Sequence, residues 1–163
     1  MISLLKIGSS LILLSRREDK TMGIVSIDAL MKIDRGLITE VPTKEVRAKH
    51  LSKIMGTDVS VKIKALSGNT YGSLLAAAKS KKGDIDVSKI YKAQSLIVVE
   101  GVQEPSLKDK ELQAHFGAAS PVDLAAILFP GGELVNIYTE IAVLSGYGDD
   151  EDEGGVDEEV KNS

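Results

Sequence analysis

A helix-dominated α+β domain with one β-hairpin is what this sequence predicts, and three observations carry it. Apolar residues recur at helical spacing through the second half, most plainly Leu134, Ile137, Tyr138, Ile141 and Leu144. Two adjoining segments between Glu45 and Ala65 alternate with period two instead. Aromatic residues make up only 4% of a chain that is 43% hydrophobic, and Trp is missing. The core must therefore be built from Leu, Ile, Val and Ala, which suits helices better than a β-sandwich rich in aromatic and β-branched side chains.

The elements follow in order. Ser26 is placed to cap a short helix over Ile27 to Met31, which Gly36 ends. A patternless stretch runs to Pro42. Val46, Ala48 and His50 then oppose Glu45, Arg47 and Lys49, and Val59, Val61, Ile63 and Ala65 oppose Ser60, Lys62 and Lys64. This alternation marks two half-buried strands, joined through Gly56 and Asp58 as a hairpin with a longer loop. Ser67 to Lys79 reads as a helix with Leu74, Leu75 and Ala78 on its apolar face. Ser80 to Asp84 is an exposed loop. A second long helix spans Asp86 to Val102, with Val87, Ile90, Ala93, Leu96 and Ile97 at helical spacing; the β-branched run Leu96 to Val99 leaves a strand as the competing reading. After Gly101 and Pro105, Ser106 to Asp109 has the spacing of a capping box and opens a short helix closed by Gly117. Ser120 caps the next helix, with Pro121 at its first position. Pro130-Gly131-Gly132 turns the chain into the last helix, with Gly146 at its C-terminal end.

Length and charge set the frame. A chain of 163 residues suits one domain with tails and buries about two thirds of its unfolded surface, so its core needs no metal or disulfide. Of the net charge of −4, residues 149–163 carry −7, from eight acids and Lys161, which leaves +3 on the rest. The expected organisation is a body over residues 22–148 and a disordered acidic tail over 149–163. Residues 1–21 read as a non-native leader or a disordered extension. The apolar run Ile2 to Leu14 is too short to span a bilayer, lacks a preceding basic residue and has no small-residue cleavage site after it. Arg16-Arg17-Glu18-Asp19 can be encoded by a ribosome-binding sequence, which places the expected start at Met22.

Chemistry is conspicuous by what it lacks. There is no Cys, hence no disulfide, thiolate metal site or thiol nucleophile. His50 and His115 fall on different elements without metal-ligand spacing, and each reads as an ordinary surface or strand-face residue. There is no phosphate-binding loop, no dinucleotide glycine pattern and no Gly-x-Ser-x-Gly elbow. The tail acids lack the ligand order of a calcium loop. The basic outer face of the hairpin has no interleaved aromatic residues for base stacking, so no nucleic acid is expected as a partner, and no membrane either. No enzyme, cofactor or metal site emerges.

Several weak motifs in the C-terminal third carry a resemblance. Pro105 to Leu124 reads as an acidic helix followed by His115-Phe116-Gly117, a small-residue turn and Pro121-Val122-Asp123-Leu124. Leu128-Phe129-Pro130-Gly131-Gly132-Glu133-Leu134 and Leu144-Ser145-Gly146-Tyr147-Gly148-Asp149 follow. In that order they resemble the XkdN-like family of tail assembly chaperones from phages and prophages of the PBSX type. Gly131 or Gly132 is an extra glycine relative to the family pattern. The hairpin and Ile97 to Val102 are similar too, so the resemblance covers about residues 26–149.

The resemblance implies a non-enzymatic protein of the bacterial host cytoplasm. It would bind the long tape-measure protein, keep it soluble during tail morphogenesis and be absent from the mature virion. It also implies a longer product of programmed frameshifting as a partner, with the tail tube protein as a further candidate. Val160-Lys161-Asn162 is compatible with a slippery heptamer, and the Gly and Glu codons upstream are an equal alternative for the shift. Phe116, Phe129, Tyr138 and Tyr147 are the candidate partner-binding residues, since the chain has few aromatic residues and these concentrate binding energy; the alternative is that they fill the core. Two other functions remain open: a tail component retained in the virion, and a cytosolic adaptor unrelated to phage.

Overall fold

A computed structural model of the chain describes residues 22–148. The expected leader and the acidic tail lie outside the described residues. The chain divides at Glu40/Val41 into two units.

The described part of the first unit holds two helices of five residues each, α1 (Ile27–Met31) and α2 (Arg35–Thr39). The Ser26 hydroxyl accepts the Ala29 N–H at 3.1 Å, as expected of the cap. Gly36 does not terminate that helix. The helix ends at Met31, and Gly36 belongs to α2, where its N–H donates to the capping carboxylate of Asp34 at 2.8 Å. Asp34 accepts an orphan donor of the helix start and so creates a second helix in the stretch that looked patternless.

In the second unit, β1 (Thr43–Arg47) pairs antiparallel with β2 (Ser60–Lys64), Val46 opposite Val61. The alternation around Val59 to Ala65 is realised: Val61 and Ile63 are buried, while Ser60 is exposed. Two features differ from expectation. The connection is a helix, α3 (Lys49–Met55), so His50 is helical rather than part of the strand. Its cause is Ser52, a buried hydroxyl that donates to Ala48 C=O at 2.7 Å and accepts Val59 N–H at 3.0 Å, tying the first turn to the returning strand. The hairpin also gains a third strand, β3 (Val102–Glu104), which pairs antiparallel with β2 across a register irregularity at Lys62/Ile63, giving the order β1-β2-β3.

The helices supply most of the core. α4 (Gly68–Leu75) is capped by Ser67 and continues through a 3-10 turn, Ala76–Ala78. A second 3-10 turn, Val87–Lys89, leads into α5 (Ile90–Gly101), so Leu96 to Val99 is helix and not strand. α5 is central and buries Ala93, Ile97, Val98 and Val99 against its neighbours. It contacts α4, α7 (Pro121–Leu128) and α8 (Gly132–Leu144).

Before them comes α6 (Lys110–His115), whose cap is Asp109, not Ser106: the Asp109 carboxylate accepts Leu112 N–H at 2.8 Å. Asp109 stands one residue before the helix with a side chain of the right reach, whereas Ser106 belongs to the turn ahead of it. Gly117 follows α6 at φ 66°, and Ser120 caps α7 with Pro121 at its first position. Gly131, at φ 58° and ψ −123°, occupies backbone space open only to glycine, so it makes the turn while Gly132 opens α8. Gly146, at φ 87°, ends α8; the Tyr147 N–H reaches back to Ala142 C=O at 2.8 Å.

Candidate partner-binding surface

The four aromatic residues singled out from the sequence fall in three environments. Phe129, at the end of α7, has no exposed surface and fills the core among Leu124, Leu134 and Ile137, so in this conformation it offers nothing to a partner. Phe116, just after α6, is 43% exposed and meets His115 edge to face, ring centroids 4.8 Å apart. Tyr138 and Tyr147 are brought together by a residue that sequence reasoning passed over, Tyr71 of α4. Tyr71 is buried, its hydroxyl lies 2.9 Å from that of Tyr138, and its ring stacks on Tyr147 at 4.2 Å between centroids and 7° between planes. Tyr147 nonetheless leaves 48% of its surface exposed. Burial, followed by the bond to Tyr138, holds the Tyr71 phenol well above the ordinary tyrosine range, so it stays protonated. A lone Tyr in a Gly-rich first turn gave no signal of this pairing, because its partners lie 67 and 76 residues away.

Beside this cluster runs an apolar groove of about 290 Å³, lined by Leu75, Ala78, Ile85, Ile90, Ala93 and Tyr138. Ile85, in its lining, is 73% exposed. Such a concavity removes apolar surface from water when another apolar side chain enters, worth roughly 25 cal/mol per Å² covered. A second, polar groove of about 510 Å³ lies between β1 and α8, with Lys44, Arg47, Glu133 and Glu140 along it. Lys44 bridges it to Glu140 at 2.6 Å. In the first unit, Ile27, Leu30, Met31, Leu37 and Ile38 are all exposed, an apolar surface that the periodicity of so short a segment did not announce.

The histidines are not brought together. His50 is half-buried, and its backbone N–H donates to the Glu133 carboxylate at 3.1–3.2 Å; His115 is exposed on α6. Among the described residues no group of three or more His, Asp or Glu side chains is arranged to hold a metal ion. Among them, too, no single helix is long and apolar enough to cross a membrane. α7 and α8 together are apolar enough, but they meet at 111° and bury their apolar faces in the core. The geometry thus offers an apolar groove and a polar one at the surface.

Comparison with known proteins points the same way. The pattern of a family described as "Phage XkdN-like tail assembly chaperone protein, TAC" matches residues 27–161. A solved structure, described as the crystal structure of the protein yqbn, is similar with a TM-score of 0.52 at 21% identity; the match covers 77% of this chain and 100% of that one. At that identity it speaks for the fold alone. No curated protein matches the chain.

Proposed function

Because the chain belongs to the XkdN-like phage tail assembly chaperones, we propose that it binds the tape-measure protein of its phage or prophage and keeps that protein soluble while the tail is built. The family match carries this reading; a tail assembly chaperone implies tail proteins as its partners and assembly rather than catalysis as its task. The surfaces support it. A tape-measure protein is long and helical, and apolar stripes on a helix are covered by apolar grooves. The groove lined by Leu75, Ile85 and Tyr138 and the exposed face of α1 and α2 are of that chemistry.

Phe116 and Tyr147 are the anchors on this reading, as half-exposed aromatic residues. Tyr138 acts from the groove wall and Phe129 by holding the shape of the core. The acidic segment 149–163 keeps the complex soluble through its net negative charge. Action in the host cytoplasm, absence from the finished virion and a longer frameshifted form that shares the work, with the tail tube protein as a further contact, belong to the same proposal.

The test is co-expression with the long helical protein encoded just downstream. That protein is expected to be soluble and to co-purify only when this chain is present. A large protein that stays insoluble and unbound, even with the frameshifted form supplied, would refute the tape-measure role.

A further inference from the structure

We propose that the chain pairs with a second copy of itself through the open edge of β1, as an antiparallel strand pair in which Glu45 of each copy lies opposite Arg47 of the other. β1 is an outer strand of the sheet. The Ala48 N–H donates to Val59 C=O and the Ala65 N–H to Pro42 C=O, both at 2.9 Å. These two bonds set the phase of the ladder: residues 42, 44, 46 and 48 address β2. The N–H and C=O groups of Thr43, Glu45 and Arg47 point the other way, since an antiparallel strand bonds a given neighbour at every second residue. They have no hydrogen-bond partner among the described residues. An unpaired edge of this kind is a template for another strand, and the groove between β1 and α8 gives the newcomer room.

The charges select the occupant and the register. Only residues with outward groups can form hydrogen-bonded pairs across a two-fold axis, which leaves three registers that keep two or more such pairs within the strand. Glu45 opposite Glu45 sets like charges directly against each other. Thr43 opposite Glu45 brings Lys44 onto Lys44 in the closer, non-hydrogen-bonded position. Both are unfavourable. Glu45 opposite Arg47 instead forms two ion pairs, with Val46 on Val46 at the axis. In that register Lys44, which keeps its ion pair with Glu140 of its own chain, lies opposite the small side chain of Ala48, so no like charges meet there. Arg47 is already positioned by Asp58 at 2.6 Å, whereas Glu45 has no ion-pair partner among the described residues. The contact is isologous and closed, so it yields a dimer and not a fibre.

A five-residue strand makes a small interface, of the weak class below about 1,200 Å². The association is therefore concentration-dependent and is read by sedimentation of the full chain up to about 1 mM. Glu45→Arg and Arg47→Glu each set like charges across the axis and are expected to weaken dimerisation at least tenfold. The double variant Glu45→Arg/Arg47→Glu restores opposite charges at both pairs and is expected to recover it, which the Glu45-on-Glu45 register would not do. A wild-type chain that stays monomeric over the whole range overturns the proposal. So do single variants that dimerise like wild type, or a folded double variant that stays monomeric. If the double variant does not fold, an equimolar mixture of the two single variants carries the same test, because its facing pairs are again of opposite sign. None of these outcomes bears on tape-measure binding.

Discussion

The crossing of α5 and α8 depends on the absence of one methyl group. At Gly101, the last residue of α5, an added Cβ would lie 2.5 Å from Ile141 Cδ1 and 2.9 Å from both its Cγ1 and Cγ2. All branches of that side chain are struck, and Ile141 is fully buried, so a change of rotamer offers no escape. Gly101→Ala should thus cost about 1–3 kcal/mol by overpacking. Helix propensity returns at most about 1 kcal/mol, and less at a helix end. The net loss of about 1–2 kcal/mol corresponds to a fall in Tm of roughly 2–8 °C for a chain of this length. Adding Ile141→Val removes the nearest carbon. Alone, that change costs about 0.5–1.5 kcal/mol, but combined with Gly101→Ala the two losses should sum to less than their separate values. Urea unfolding of the four proteins in the cycle measures this coupling. A Gly101→Ala protein as stable as its parent, or strictly additive losses, would refute the close crossing.

Other perturbations reach other parts of the fold. Ser52→Ala leaves the Val59 N–H without its acceptor and should cost about 1–3 kcal/mol in urea unfolding; an unchanged midpoint would mean that the hydroxyl does not hold the hairpin connection. Tyr71 gives a pH dependence. In the unfolded chain tyrosine ionises near pH ~10, whereas the folded phenol keeps its proton to higher pH. Its contribution to stability is therefore whole below the unfolded value and declines as pH rises beyond it. Tyr71→Phe should flatten that alkaline decline in thermal melts, and an equally steep decline in the variant would count against the buried pair. Phe116→Ser should reduce co-purification of the tape-measure protein severalfold with little change in Tm, since the ring is half exposed; undiminished capture would remove Phe116 from the binding surface.

What the sequence determined alone is what each segment states about itself. The period of two around Val59 to Ala65, the stripe of α8, the caps at Ser26 and Ser120 and the glycines after α6 and α8 are local properties, legible because backbone geometry repeats within a few residues. The family, too, was readable from the order of short motifs between Pro105 and Asp149. Only the tertiary structure decided the rest, and in each case the deciding partner lies outside the segment itself. Val102–Glu104 is too short to announce itself and is a strand because Lys62 and Ile63 pair with it. Lys49–Met55 is a helix because Ser52 ties it to Val59, and Tyr71 becomes the hub of an aromatic cluster because α8 and the residue beyond its end return to it. Gly101 reads in sequence as punctuation; its requirement for glycine comes from Ile141 across the core. Local periodicity reports which face of an element is apolar, but not which surface will cover it. That choice is made by packing, where excluded volume and the pairing of buried polar groups act between residues far apart in the chain.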